Sequence, residues 1–495
     1  MLRLAAVFGE HMVLQRGKPI AVFGEADGPV EITLAQHSVT AACEGRRFLA
    51  HLPPMTAGGP YTLTARCGEE SVALGDVMVG EVWLCGGQSN MEFRLRDERH
   101  YDEADVMRDS RVRFYEVPQA ATVGQAETLE RNRTWTPLAP GACAEVSAVA
   151  FYAAREMAQR LDVAVGMMIC CIGGTSASCW MSRETLSGFP EGRAYLTEFE
   201  ARVAGKTDEQ FARESEAYQR EVDGWNAASA AIKAENPDIP FAQITARIGD
   251  FPWPPPWGRT MLRRPAGPFE TMLTRVAPYT LRGFLFYQGE QDSTPARAPG
   301  YASLLTALIA QWRALFEDES IFFAAAQLPR FGAEPSAEDW PAIRAAQQQV
   351  IGITPNAALT CLLDCGERDN VHPTDKRTPG ERLAATTLRH AYGMDVLADA
   401  PRLTGAALEG ERLILRFEHT GGGLRVPENV LSSLTVEGTE LMDVRCEGEQ
   451  LVLTLASGGR SVRVRYAQEN WPEAILTGEN GLPVFPFDAV ILSCT

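Results

Sequence analysis

Long apolar runs are missing from this sequence, and so is any clustering of Lys and Arg. The first absence excludes a transmembrane helix, which needs about twenty consecutive apolar residues. The second argues against nucleic acid as a partner, because phosphate binding draws on clustered cations. Here 64 Asp and Glu outweigh 46 Lys and Arg, for a net charge of −18. The same surplus offers no long-range attraction to an anionic substrate. No Cys-x-x-Cys pair occurs among the 11 cysteines, so no metal site of that type is expected. Their odd number, and their place inside runs such as MMICCIGG and ALTCLLDCG, point to reduced and mostly buried thiols. A secretory signal is also missing: MLRLAAVFGEHMVLQ has one basic residue and a very short apolar stretch before Glu10 and His11. A cytoplasmic location is therefore expected, unless a leader has been removed.

What is present is an ordinary globular composition, 45% hydrophobic and 22% charged over 495 residues, long enough for about three domains. Residues 1–79 alternate in short apolar runs broken by turn residues, the pattern of an all-β module. From 80 to 396 helical and strand patterns alternate, which predicts a parallel sheet covered by helices on both sides. Within that stretch, about 183–237 reads as a helical insertion, with Phe211, Tyr218, Val222, Trp225 and Ile232 on one stripe. The Pro-rich run at about 251–260 cannot continue a helix and reads as a lid or sugar-stacking loop. From 397 to 495 the β pattern returns.

The chemistry centres on Glu81 to Met91, EVWLCGGQSNM. Its apolar run reads as a strand buried on both faces. Gly86 and Gly87 end it and permit a bend that stands Ser89 at the rim of a sheet. The hydrolase elbow G-x-S-x-G is not satisfied, since Met91 occupies its last position. A serine hydroxyl needs a base, a group orienting that base and donors for an oxyanion. Other strand ends offer them: Gly173 and Gly174, then Gln288, Gly289 and Glu290, then Asp369 and His372. Ligands of open parallel sheets bind beyond the carboxyl ends of strands. Asp369 lies three residues before His372, a spacing that in a turn lets a carboxylate reach the ring. Gln288 has an amide to donate, beside the backbone N–H groups of Ser89 and Gly174. Glu290 reads as an acceptor that fixes its loop.

These blocks resemble the sialate O-acetylesterases of the SGNH hydrolase superfamily. The resemblance runs through MVLQR, LPPMTAGGPYTL, GEVWLCGGQSNME, CIGGTSASCWMS, FYQGEQD, QWRALF, QLPRF, DCGERDNVHPTDK and VRYAQENWPEAILTGENGLPVFPF. It implies an SGNH-type three-layer α/β/α hydrolase domain flanked by N- and C-terminal β-sandwich-like domains, releasing acetate from O-acetylated sugars without metal or cofactor. It also implies Ser89 as nucleophile, His372 as base, and Ser89, Gly174 and Gln288 as the oxyanion hole. Asp369 fits the superfamily's Asp-x-x-His spacing, Asp364 aligns with an Asp common in the family, and some members look like Ser-His dyads. Trp180, Glu290 and Arg259 are candidates for substrate contact, and Glu270 replaces a usual Asn. A sialic acid carboxylate would want an arginine, for which Arg259, Arg263 and Arg264 are the candidates. Acetylated xylan or mannan is the alternative substrate, and a non-catalytic carbohydrate-binding protein the alternative of another class.

Overall fold

One sheet runs through the middle of the chain in the computed structural model, which describes residues 1–131, 133–236, 239–332, 337–459 and 461–492. In chain order its principal strands are β1 (Glu70–Gly87), β2 (Asp109–Glu116), β3 (Thr136–Leu138), β4 (Val165–Cys171), β5 (Gly283–Tyr287), β6 (Phe322–Ala326) and β7 (Ala357–Thr360). Across the sheet they follow the order β3-β2-β4-β1-β5-β6-β7. All neighbours are parallel except the edge pair β2 and β3. Every residue of β4, β5 and β6 is buried, as unbroken apolar runs require of strands covered on both faces.

Helices α1 (Ser89–Glu92), α2 (Ala148–Leu161), α3 (Asp208–Glu235), α4 (Tyr301–Leu315), α5 (Trp340–Ile353) and α6 (Arg377–Tyr392) follow these strands. Successive strand residues face opposite sides, and β1 shows the result. Trp83 donates its indole N–H to Tyr392 of α6 at 3.3 Å. Three residues on, and so on the other face, Gly86 lies beneath Trp312 of α4. The protein is thus a mixed α/β structure with helices on both sides of its main sheet.

The expected division at 79/80 falls inside β1, which continues without a break from the N-terminal strands into the middle of the main sheet. Strands Val30–Leu34, His37–Ala41 and Gly58–Cys67 join the same sheet through its first half. A continuous apolar core accordingly extends from Leu4 to Leu388. Strands between Arg402 and Leu492 surround a second core that includes Leu413, Leu451, Val464 and Tyr466. All ten described cysteines are unpaired, and six of them are buried.

Helices occupy most of the segment after 183, with Thr207 closing a capping box at the start of α3. Its expected end, Pro237, lies outside the described residues. The half-buried stripe of α3 has a definite task. Tyr218 donates to the carbonyl of Pro252 and Trp225 to that of Gly249, each at 2.9 Å. The long helix therefore props the Pro-rich loop. Among the described residues, no helix is long and apolar enough to cross a membrane.

Candidate active site

Because β1 sits between β4 and β5, the segments leaving the carboxyl ends of these three strands meet at one place, where the order of connection changes direction. Close approach there depends on glycine. Gly87 has φ +139, and a Cβ on it would lie 2.1 Å from the carbonyl oxygen of Tyr287. Ser89 then opens α1 as a half-buried residue whose N–H, like all first-turn amides, has no partner inside the helix.

The turn after β4 is pressed against this serine. A Cβ on Gly173 would stand 3.2 Å from Cβ of Ser89. The Gly173 N–H donates to Glu92 at 2.5 Å, and Gln119 donates to the other oxygen of that carboxylate at 2.6 Å. Gly174 follows with φ +69 under the ring of Trp253. Among the described residues, neither the Ser89 nor the Gly174 amide donates a hydrogen bond to the protein. Two free N–H groups beside one hydroxyl are what a developing oxyanion requires.

His372 comes from the loop after β7. Glu367 closes that loop on itself, accepting from the Thr374 N–H at 2.7 Å and from Asn370 at 3.0 Å, while Asn370 accepts from the His372 N–H at 3.0 Å. The loop reaches the serine through Asn90, whose Nδ2 donates to the carbonyl of Val371 at 3.0 Å. The immediate neighbours of Ser89 and His372 are therefore hydrogen-bonded to each other. Burial first, and the positive charge of Lys376 second, push the imidazole down to about 4. The unfolded chain takes up this proton from about pH 6.5 downward and the folded chain only near 4. This group therefore makes the fold progressively less stable as pH falls through that window. Above it the ring is neutral, the form a general base needs.

The expected partners of this pair are placed differently. Asp369 is exposed at the tip of the turn bridged by Glu367 and Asn370, and among the described residues no carboxylate is bonded to the His372 ring. A spacing of three residues does not become a contact here, because the turn faces its middle residues outward. Asp364 is paired with Arg382 through two hydrogen bonds of 2.6 and 2.8 Å, tying the end of β7 to α6. Gln288 is wholly buried. Its Nε2 lies 2.6 Å from Asp292 and 3.2 Å from both the Gln88 side chain and the carbonyl of Thr175. An amide with two hydrogens so surrounded has none left for an oxyanion, so Gln288 braces the loop. Asp292, whose pKa burial raises, also accepts from Tyr195 at 2.5 Å and from the Ala177 N–H at 2.8 Å.

Trp180 is buried, donating to Thr175 at 3.0 Å and accepting from Trp312 at 2.9 Å, and so supports the Gly173 turn from within. Arg259 is largely exposed and stands 3.5 Å from Glu200, while Glu270 pairs with Arg264 at 3.1 Å. Glu290 is buried, accepts from Asn90 at 2.6 Å through one oxygen, and has no partner for the other among the described residues. Asn90, Glu92, Asp292 and Lys376 carry much of this arrangement yet drew no notice in the sequence. The signal was their position inside the blocks GQSNME, GEQD and HPTDK.

A pocket opens beside Gly174, lined by Trp253, Trp257, Arg263, Gln291 and Arg297 among others. Arg263 is anchored by Nε on the carbonyl of Gly173 at 2.5 Å, with its guanidinium over the Trp253 ring at 5.6 Å. Arg297 is committed to Glu198 at 2.8 Å.

With this geometry, comparison with known proteins points one way. The model of a family described as carbohydrate esterase, sialic acid-specific acetylesterase matches residues 256–389, the stretch that carries Arg263, Gln288 and His372. The chain is 25% identical to the sialate O-acetylesterases of Rattus norvegicus and Mus musculus, over 99% of its own length and 94% of theirs. The crystal structure of a carbohydrate acetylesterase from Xanthomonas citri has a TM-score of 0.76 at 23% identity, covering 98% of this chain and 99% of that one, and shows a shared fold.

Three outcomes follow for rate and stability. Asp369→Asn is expected to stay within about threefold of wild type in kcat, and Asp364→Asn to lower the melting temperature while the folded fraction keeps its rate. A loss near the ~10,000-fold of a known triad carboxylate in Asp369→Asn would show that the turn closes on the ring. Gln288→Ala is expected to lower the melting temperature, since each buried partner left unpaired costs ~1–3 kcal/mol. Full thermal stability with a ~100-fold fall in kcat would return Gln288 to the oxyanion hole.

Proposed function

We propose that this carboxylic ester hydrolase, similar to the sialate O-acetylesterases throughout its length, removes O-acetyl groups from sialic acid with Ser89 as nucleophile and His372 as base. The observation that carries the reading is the Asn90 bridge, which joins the serine turn to the backbone beside a neutral imidazole. His372 takes the hydroxyl proton as Ser89 Oγ attacks the acetyl carbonyl. The tetrahedral oxyanion faces the N–H groups of Ser89 and Gly174. The sugar oxygen leaves with the proton from His372, and acetyl-Ser89 is then hydrolysed by a water that the same imidazole deprotonates. An SGNH-type hydrolase unit over 80–396, entered midway along β1 from the N-terminal β module and followed by another, fits this use of strand ends.

Arg263 supports an acidic sugar. Arg264 is engaged with the carbonyl of Ala121 and with Glu270, and Arg259 faces Glu200. The two terminal nitrogens of Arg263 make no hydrogen bond among the described residues, and the side chain lines the pocket beside Gly174. A planar guanidinium so held can take a carboxylate in paired hydrogen bonds. The exposed Trp253 favours a second reading in which neutral acetylated xylo- or manno-oligosaccharides stack on the loop.

Acetate release from O-acetylated sialic acid and from acetylated xylo- and manno-oligosaccharides, measured side by side, separates the readings. Sialic acid esters are expected to be cleaved faster, and Arg263→Ala to raise KM for them alone. Ser89→Ala and His372→Ala are each expected to lower kcat by at least about a thousandfold with the fold intact. Faster cleavage of the neutral sugars would establish the polysaccharide reading, and a tenth of wild-type activity in Ser89→Ala would remove the serine mechanism.

A further inference from the structure

Lys376 is one of four lysines in a chain whose Lys and Arg total 46, so arginine is the ordinary cation of this sequence and lysine the exception. It is also wholly buried. Its Nζ donates to Oδ1 of Asn90 at 2.6 Å and stands 4.7 Å from the centroid of the Phe93 ring. Among the described residues it forms no direct ion pair, an expensive state for an ammonium away from water. Glu290 compensates at one remove, because Nδ2 of the same Asn90 donates to Glu290 at 2.6 Å and to the carbonyl of Val371 at 3.0 Å. One amide thus holds the cation, the carboxylate and the histidine loop. It belongs to the residue after Ser89, while Lys376 lies four residues after His372.

We propose that Lys376 is a positioning residue for hydrolysis: its ammonium orients the Asn90 amide that ties the serine turn to the histidine loop, and sets a positive charge near His372. The inference rests on the Ser89–His372 reading above. An ammonium at Oδ1 fixes which end of the Asn90 amide donates, so Nδ2 must face Glu290 and Val371. The groups around Lys376 are the carboxylates of Glu290, Glu367 and Asp375, the Cys365 thiol, His372, and Glu98, which accepts its backbone N–H at 3.3 Å. The acidic groups favour the ammonium, yet burial outweighs them and brings Lys376 down to about 7. Below that pH the charge is present, which is where an ordinary imidazole would begin to protonate. Above it the charge is lost, and His372 is neutral without help.

The test is kcat/KM against pH for wild type, Lys376→Met, Lys376→Gln and Lys376→Arg, using p-nitrophenyl acetate. The wild-type acid limb is expected near pH 4. Both neutral variants are expected to move it upward by about one unit, the scale on which neighbouring charges shift a titration, and to lower kcat with little change in KM. Lys376→Arg, which retains the charge, is expected to keep the limb low. A limb at the wild-type position in a folded Lys376→Met or Lys376→Gln overturns the proposal. If neither neutral variant folds, an NMR titration of the His372 ring in the wild-type protein decides. A midpoint near 4 with a second inflection near 7 supports the proposal, and a single midpoint near 6.5 overturns it. Failure of the Ser89–His372 reading is distinguishable, because it would leave activity in Ser89→Ala.

Discussion

The site depends on the side-chain amide of Asn90. That residue is completely buried, and its oxygen and nitrogen meet Lys376, Glu290 and the carbonyl of Val371. It belongs to the turn that presents Ser89, so orienting the amide also fixes the distance between serine turn and histidine loop. Networks of this kind hold a single geometry when every member has a partner, and are costly when one is lost. Among the described residues, one oxygen of Glu290 is without a partner.

Burial that makes the network rigid also sets its charges. The imidazole is held low, the Glu290 and Asp292 carboxyls are pushed up, and Lys376 is drawn down. Desolvation is the largest cause in all four. The effect is to keep the imidazole uncharged with no carboxylate bonded to it among the described residues, which fits an exposed Asp369 and an Asp364 spent on Arg382. A neutral imidazole on a loop tied to the serine turn can accept a serine proton, and the free Ser89 and Gly174 amides can take an oxyanion.

Much of this was readable in the sequence, for a physical reason. Unbroken apolar runs that stop at glycine define buried strands and their ends, and strand ends of a parallel sheet share one rim. The runs before Ser89, Gly173 and Gln288 therefore end at the rim where the candidate site is assembled. Spacing along a loop carried less. Asp369 lies close to His372 in sequence, but the bonds from Glu367 to Asn370 and Thr374 turn it outward. Residue type does not report that the donors of Gln288 and Trp180 meet acceptors inside the protein, or that Arg259 stands beside Glu200. Which acceptor an amide finds depends on three segments far apart in the chain, and no local pattern reports it. The contacts of Asn90 and Lys376 were hidden for the same reason, although both stand within a few residues of Ser89 and His372.

The central assignment is Ser89 as a nucleophile activated by a neutral His372. Its most direct test is modification of the wild-type protein by a serine-directed fluorophosphonate, followed by intact mass and peptide mapping. The expected result is a single adduct on Ser89, formed at a rate that holds from neutral pH down to about 4 and falls below it. An adduct on another residue, or ester hydrolysis that persists in the fully modified protein, would contradict the assignment.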